Sequence, residues 1–221
     1  MPCRRRVGSD LDRSPILGPT VTETGRLETF ADGVFAIAIT LLVLAIRLPA
    51  PEEPLGPALI RQWPEFAGYV VSFLTIGIMW INHHSVFRQL GEVDHRFLFI
   101  NLGLLMCISF VPFPTTLLAD YAWGGDGEAA ALTYGITLTI TALFFNLLWR
   151  YAAWNNRLIR QGANPQEVDG ISRAYLPGPF MYGGATLVAL VSPEASAALY
   201  LAVAVFYVGS SSFFGREEAA L

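Results

Sequence analysis

The chain has 221 residues, of which 53% are hydrophobic and only 14% charged, with a formal net charge of −4 and a mean hydropathy of +0.47. Soluble domains carry about 25% charged residues, so this balance excludes an ordinary soluble protein and predicts a chain that sits mostly in a lipid bilayer. The negative net charge gives no reason to expect a nucleic-acid partner.

The opening stretch, "MPCRRRVGSDLDRSPILGPTVTET", is rich in Pro, Ser, Thr and Arg. It starts basic but carries no apolar segment before Gly25, so residues 1–25 read as a disordered cytoplasmic tail rather than a signal peptide. Six apolar runs follow, at about 27–46, 62–82, 97–119, 130–149, 171–191 and 194–214. Each has roughly the 20 residues that a helix needs to cross a bilayer. They predict an all-α membrane protein with six transmembrane helices in one domain over 26–215, a short cytoplasmic C-terminus at 216–221, and no separate soluble domain. No run alternates at period two, which argues against a barrel, and no internal repeat is visible.

The first run, "RLETFADGVFAIAITLLVLAIRLP", carries no charge from Gly33 to Ile46 but holds Asp32 near its start. On an ideal wheel with Arg26 at zero, Phe30, Gly33, Ile37, Thr40, Leu41 and Leu44 fall within about 60° of one line. Spacing of this kind marks a helix–helix packing seam. The less usual reading of such a stripe is a hydrophobic collar, if several copies surround an axis, with Thr40 as its one hydroxyl. Asp32 lies about 120° away from Arg26 on that wheel. It cannot pair with Arg26 six positions earlier. An unpaired acid in mid-span would cost about 2.5–3.5 kcal/mol, so Asp32 is expected to find a partner on another helix.

The next link, "RLPAPEEPLGPALIRQW", reads as a rigid Pro-rich connection. The second run ends in "MWINHHSVFRQL" and the third begins "HRFLFINLG". Antiparallel topology brings Trp80, His83, His84 and Asn101 to the level of Arg26 and Asp32, where one connected polar network would suit them. Decoration of a wet interface is the competing reading of the histidines. A metal site is disfavoured, because His83 and His84 point about 100° apart and helical ligand pairs stand at i, i+4. In the third run, "VPFPTT" should kink or end the helix at Pro112 and Pro114. The link "DYAWGGDGEAA" is an acidic, Gly-rich turn. In the fourth run, Thr133, Thr137, Thr139, Thr141 and Asn146 suit bonds between helices, and Trp149 and Trp154 suit interface anchoring. "YGGAT" in the fifth run should allow close helix approach, and Pro193 should open the sixth helix. Cys3 and Cys107 are too differently placed to pair, and nothing points to a metal or redox cofactor.

All fourteen basic residues are arginine. With the tail, the second and fourth links and the C-terminus on one side, twelve lie there and only Arg47 and Arg61 opposite. The positive-inside rule then places both termini in the cytoplasm.

"RLETFADG" resembles the Arg-x-x-x-Phe-Ser-Asp signature of the transmembrane protein 175 family, cation channels of lysosomes and prokaryotes. "VFAIAITLLVL" and "MWINHH" extend the likeness, and the order of motifs covers most of the chain. The resemblance implies the single-repeat prokaryotic type: a homotetramer in the inner (plasma) membrane, with the first helix of each subunit lining a central pore. It implies Ile37 as the narrowest ring, Leu41 and Leu44 as the next layers and Thr40 beside the constriction. It also implies Arg26, Phe30 and Asp32, with Trp80, His83, His84 and Asn101, as a structural network. Ala31 departs from the signature, which usually has Ser. The implied activity is passive permeation of potassium, and of other monovalent cations to a lesser extent, with no cofactor and no enzymatic chemistry. A proton-coupled transporter or proton pathway through Asp32, His83 and His84 is the alternative, against which stands the lack of any mid-span acid. An embedded enzyme finds no motif in its favour, and a membrane scaffold would be a tetramer without conductance.

Overall fold

Proline stands at the first or second position of five helices, where its missing N–H costs nothing. The computed structural model describes residues 23–217, with side chains described over 24–209. Of the tail expected over 1–25, residues 1–22, with Cys3, lie outside the described residues, as do the last four residues, while residues 23–25 already belong to the first helix. The helices are α1 (Glu23–Leu41), α2 (Leu55–Arg61), α3 (Trp63–Gln89), α4 (His95–Phe110), α5 (Pro112–Tyr121), α6 (Gly127–Ala153), α7 (Pro165–Tyr175), α8 (Gly178–Val188) and α9 (Pro193–Glu217). Pro64, Pro112, Pro165, Pro179 and Pro193 open α3, α5, α7, α8 and α9. The all-α membrane fold expected from composition is the fold of the chain. Among the described residues, four stretches are long and apolar enough to cross a bilayer: Thr24–Ala45, Trp63–Gln89, His95–Tyr121 and Gly127–Asn156.

Several local expectations are corrected. The Pro-rich link after α1 contains the short helix α2. The second span continues past Asn82 to Gln89, because His83, Val86, Phe87 and Leu90 repeat on one buried face. The third span breaks at Val111, as its prolines require. The fifth run is not one helix over 171–191. The "YLPGPF" segment divides it into α7, an amphipathic helix whose Val168 and Ile171 pack on the core, and the eleven-residue α8. Trp149 is no interface anchor: it is buried and donates from Nε1 to Ser172 Oγ at 2.8 Å. The α6 threonines mostly turn inward on their own helix, with Thr133, Thr137 and Thr141 each donating to the carbonyl four residues earlier. Asn146 does bridge helices, reaching the Tyr175 carbonyl at 2.7 Å.

The tightest helix approach brings Gly135 of α6 against Tyr200 and the Thr186 of "YGGAT", so it turns on Gly135 and not on the two glycines of that stretch. A Cβ on Gly135 would lie 2.0 Å from Tyr200 OH and 2.2 Å from Thr186 Oγ1, whereas one on Gly184 meets nothing within 4 Å. Between α3, α5 and α6, Ser72 Oγ lies 2.8 Å from Thr115 Oγ1 and 3.1 Å from Tyr134 OH.

At the end of the bundle where α1 begins, called here the near end, the link after α6 turns back through Asn155 and Asn156, both at positive φ. It is clasped to the end of α3 by two backbone bonds, Gly91 N–H to Leu158 O and Arg160 N–H to Gln89 O, each 2.9 Å. A Cβ on Gly91 would stand 2.9 Å from Arg160 Cα, so the clasp needs glycine there. Asp94 caps α4 by accepting from Phe97 N–H at 2.9 Å, and its Oδ2 accepts from Tyr151 OH at 2.6 Å with Arg157 Nε 3.6 Å away. The Tyr151 hydroxyl holds the Asp94 carboxyl below the ordinary carboxylate value; partial desolvation opposes this, and Phe97 N–H and Arg157 assist it.

Two outcomes follow from this packing. Gly135→Ala should lower stability by about 1–3 kcal/mol through overpacking, while Gly184→Ala should be nearly neutral, as read by thermal unfolding in detergent. Because the folded Asp94 carboxyl titrates below its unfolded value, its contribution is complete above the ordinary carboxylate range and is lost as pH falls through the lowered value. The difference in melting temperature between the parent protein and Asp94→Asn should therefore shrink as pH is taken from 7 to 3.

Candidate functional site at the first helix

Alanine, phenylalanine and leucine alternate on one side of α1 at helical spacing. Ala31, Phe35, Ala38 and Leu42 are buried, with Ala45 just beyond, and they pack toward α3 and α4. The opposite stripe does not serve as a seam inside the subunit. Ile37 is 62% exposed, Leu44 74% and Phe30 57%, and Leu41 is exposed as well. The packing-seam reading therefore fails within one subunit: the seam is the alanine-rich face, and the branched stripe is left uncovered. Ala31, where the signature usually has Ser, has no exposed surface, so its methyl group is part of that seam.

The regular helix stops at Leu41, and residues Leu42–Ala45 form a 3-10 turn. At three residues per turn, side chains three apart eclipse, so Leu44 stands almost directly over Leu41 rather than on the α-helical wheel position. Layers at Ile37, Leu41 and Leu44 are each separated by about 6 Å along the axis. Thr40 is exposed on the same side, and its Oγ1 donates to the Ile37 carbonyl at 2.9 Å. Its proton is thus committed inward, and its oxygen keeps lone pairs directed outward.

The polar residues named from the sequence do converge near the start of α1, as separate pairs rather than one chain of bonds. Trp80 Nε1 donates to Asp32 Oδ1 at 2.8 Å, so the acid has the partner on another helix that its position demanded. His84 Nδ1 lies 2.9 Å from Glu28 Oε1. His83 Nε2 lies 2.9 Å from Asn101 Oδ1. Arg26, two residues before Glu28 on α1, is exposed. His83 is no interfacial decoration: it has no exposed surface, stacks on Phe87 at 4.3 Å and meets the Phe35 ring edge-on at 5.4 Å. Among the described residues, no group of three His, Cys, Asp or Glu side chains could hold a metal ion.

Glu28 went unnoticed in the sequence. The signal was present: Glu28 and Asp32 are one turn apart on α1, as are Trp80 and His84 on α3. Two antiparallel helices bring such i, i+4 pairs face to face, and the Trp80 and His84 rings stack at 6.2 Å. At the far end of α1, a second set of contacts fixes its exit. Arg47 N–H donates to Glu65 Oε2 at 2.8 Å, Gln62 Nε2 donates to the Arg47 carbonyl at 2.7 Å, and the Arg47 guanidinium pairs with Asp120.

Trp80→Phe keeps an aromatic ring, though a smaller one, and removes the donor to Asp32. A hydrogen bond to a charged group contributes about 1.5–3 kcal/mol, so this variant should lose that much stability. Adding Asp32→Asn should then cost less than it does alone, a coupling that a double-mutant cycle of unfolding measurements would read.

The chain is similar in sequence and in fold to known proteins. Residues 26–112 match the family described as "Endosomal/lysosomal potassium channel TMEM175". A protein named as a potassium channel from Chamaesiphon minutus is 43% identical over 194 residues, which cover 86% of this chain and 95% of that one. One so named from Streptomyces collinus is 39% identical over 190 residues, covering 85% and 92%. The crystal structure of a lysosomal potassium-selective channel TMEM175 homolog from Chamaesiphon minutus superposes with a TM-score of 0.79 at 38% identity, covering 86% of this chain and 98% of that one. The chain belongs to the TMEM175 family.

Proposed function

We propose that this multi-pass membrane protein is a potassium-permeable channel, which conducts passively where the first helices of four subunits surround an axis. The observation that carries this reading is the uncovered stripe of Ile37, Thr40, Leu41 and Leu44 on a helix whose other side is fully packed. Two relatives that match over most of their length are named as potassium channels. Stacked rings of branched side chains would close the axis by excluding water, and the outward lone pairs of Thr40 suit a cation rather than an anion. Selectivity would then rest on the cost of dehydration. The arginine distribution supports cytoplasmic termini in an inner membrane. A proton relay is less well supported, because Asp32, His83 and His84 each bond to a different partner.

Purified protein in potassium-loaded liposomes should release the ion down its gradient, and it should run as a tetramer by light scattering. Ile37→Asn, which hydrates the narrowest ring, should raise the flux several-fold. No flux from the parent protein, together with an Ile37→Asn variant that behaves the same, would end this reading.

A further inference from the structure

A cavity of about 250 Å³ lies between α3, α5, α6 and α9, away from the stripe of α1. An engineered apolar cavity of about 150 Å³ accepts benzene, so this one has room for a small organic body. Its open side is set by exposed residues: Trp63, Trp123 and Glu194. The two indoles, one at the start of α3 and the other in the turn after α5, pair with centroids 5.4 Å apart. Glu194 is the only charged side chain among the lining residues.

The buried floor gives this cavity a polarity. Thr115 donates its proton to the Val111 carbonyl. The contact between Ser72 and Thr115 must then use the Ser72 proton, and that between Tyr134 and Ser72 the Tyr134 proton. Tyr200 donates to the Ala131 carbonyl. All four hydroxyl protons are thus committed, and the floor offers lone pairs but no donor. The walls between floor and mouth are alanines, leucines, Val71 and Gly68. A carboxylate and two aromatic rings at the mouth favour a cation, and apolar walls favour a hydrophobic body.

We propose that this cavity binds a hydrophobic amine, with its apolar part between α3, α5 and α9 and its ammonium group held by Glu194, Trp63 and Trp123. A free amine and the ammonium headgroup of a membrane lipid share this chemistry.

The test uses the full-length protein in nanodiscs of phosphatidylglycerol, titrated with 8-bromooctylammonium, whose bromine quenches nearby tryptophan, and with the neutral 8-bromooctanol. The amine should give saturable quenching at about ten-fold lower concentration than the alcohol. Glu194→Gln, an exposed change, should erase that preference and leave the alcohol titration unchanged. Ala198→Phe, which fills the cavity, should remove the saturable component for both. Repeating the titration with phosphatidylethanolamine present separates the two sources: weakened binding identifies the lipid headgroup as a competing occupant, and unchanged binding a free amine. Equal titrations by amine and alcohol in the parent protein, or a Glu194→Gln variant indistinguishable from it, would overturn the proposal.

Discussion

The packing of Ala31, Phe35, Ala38 and Leu42 against α3 and α4 decides what the rest of the first helix can do. In lipid, apolar side chains gain little simply by leaving the solvent, and association depends on close backbone approach and dispersion contacts. Alanines supply the approach and Phe35 supplies the contact area. The aromatic ring also covers His83 from the α1 side, so the buried imidazole stays dry. With that face satisfied, the branched residues opposite are not needed for the fold of one subunit.

The second constraint is polar. A backbone or side-chain dipole within the hydrocarbon must be answered inside the protein. Pro112 cannot donate to Ile108 O, and Val111 N–H takes that carbonyl at 3.2 Å instead. Thr116 Oγ1 donates to Pro112 O at 3.1 Å. At the break between α4 and α5 the Ile108 carbonyl is therefore not left bare. The same need explains the threonines of α6, which serve their own backbone before they serve a neighbouring helix.

Much of the architecture was legible because hydropathy sets span length and proline marks helix starts. That Asp32 has a partner on another helix was legible too, since an acid in a span must be paired. The stripe of α1 could be drawn from the wheel, but periodicity has no sign: the same spacing describes a face turned toward its own subunit or away from it. Only the position of the competing alanine face separates the two. The fifth span was misjudged for a related reason. Mean hydropathy over 171–191 does not register that two prolines around Gly178 interrupt the helix. Gly135 was overlooked because a lone glycine in a helix has no visible neighbour until Tyr200 and Thr186 are placed around it.

The clasp between the loop after α6 and the end of α3 changes the character of the longest near-end link. Arg157 and Arg160 are the residues a trypsin-like protease would choose, and such an enzyme must draw several residues of extended chain into its cleft. Here the backbone on both sides of Ile159 is already bonded to Gln89 and Gly91, and Arg157 is drawn toward Asp94 and over the Tyr151 ring. Cleavage would first require this segment to peel away from the ends of α3 and α4. Susceptibility at this loop thus measures how often the bundle opens, and not the length of the loop.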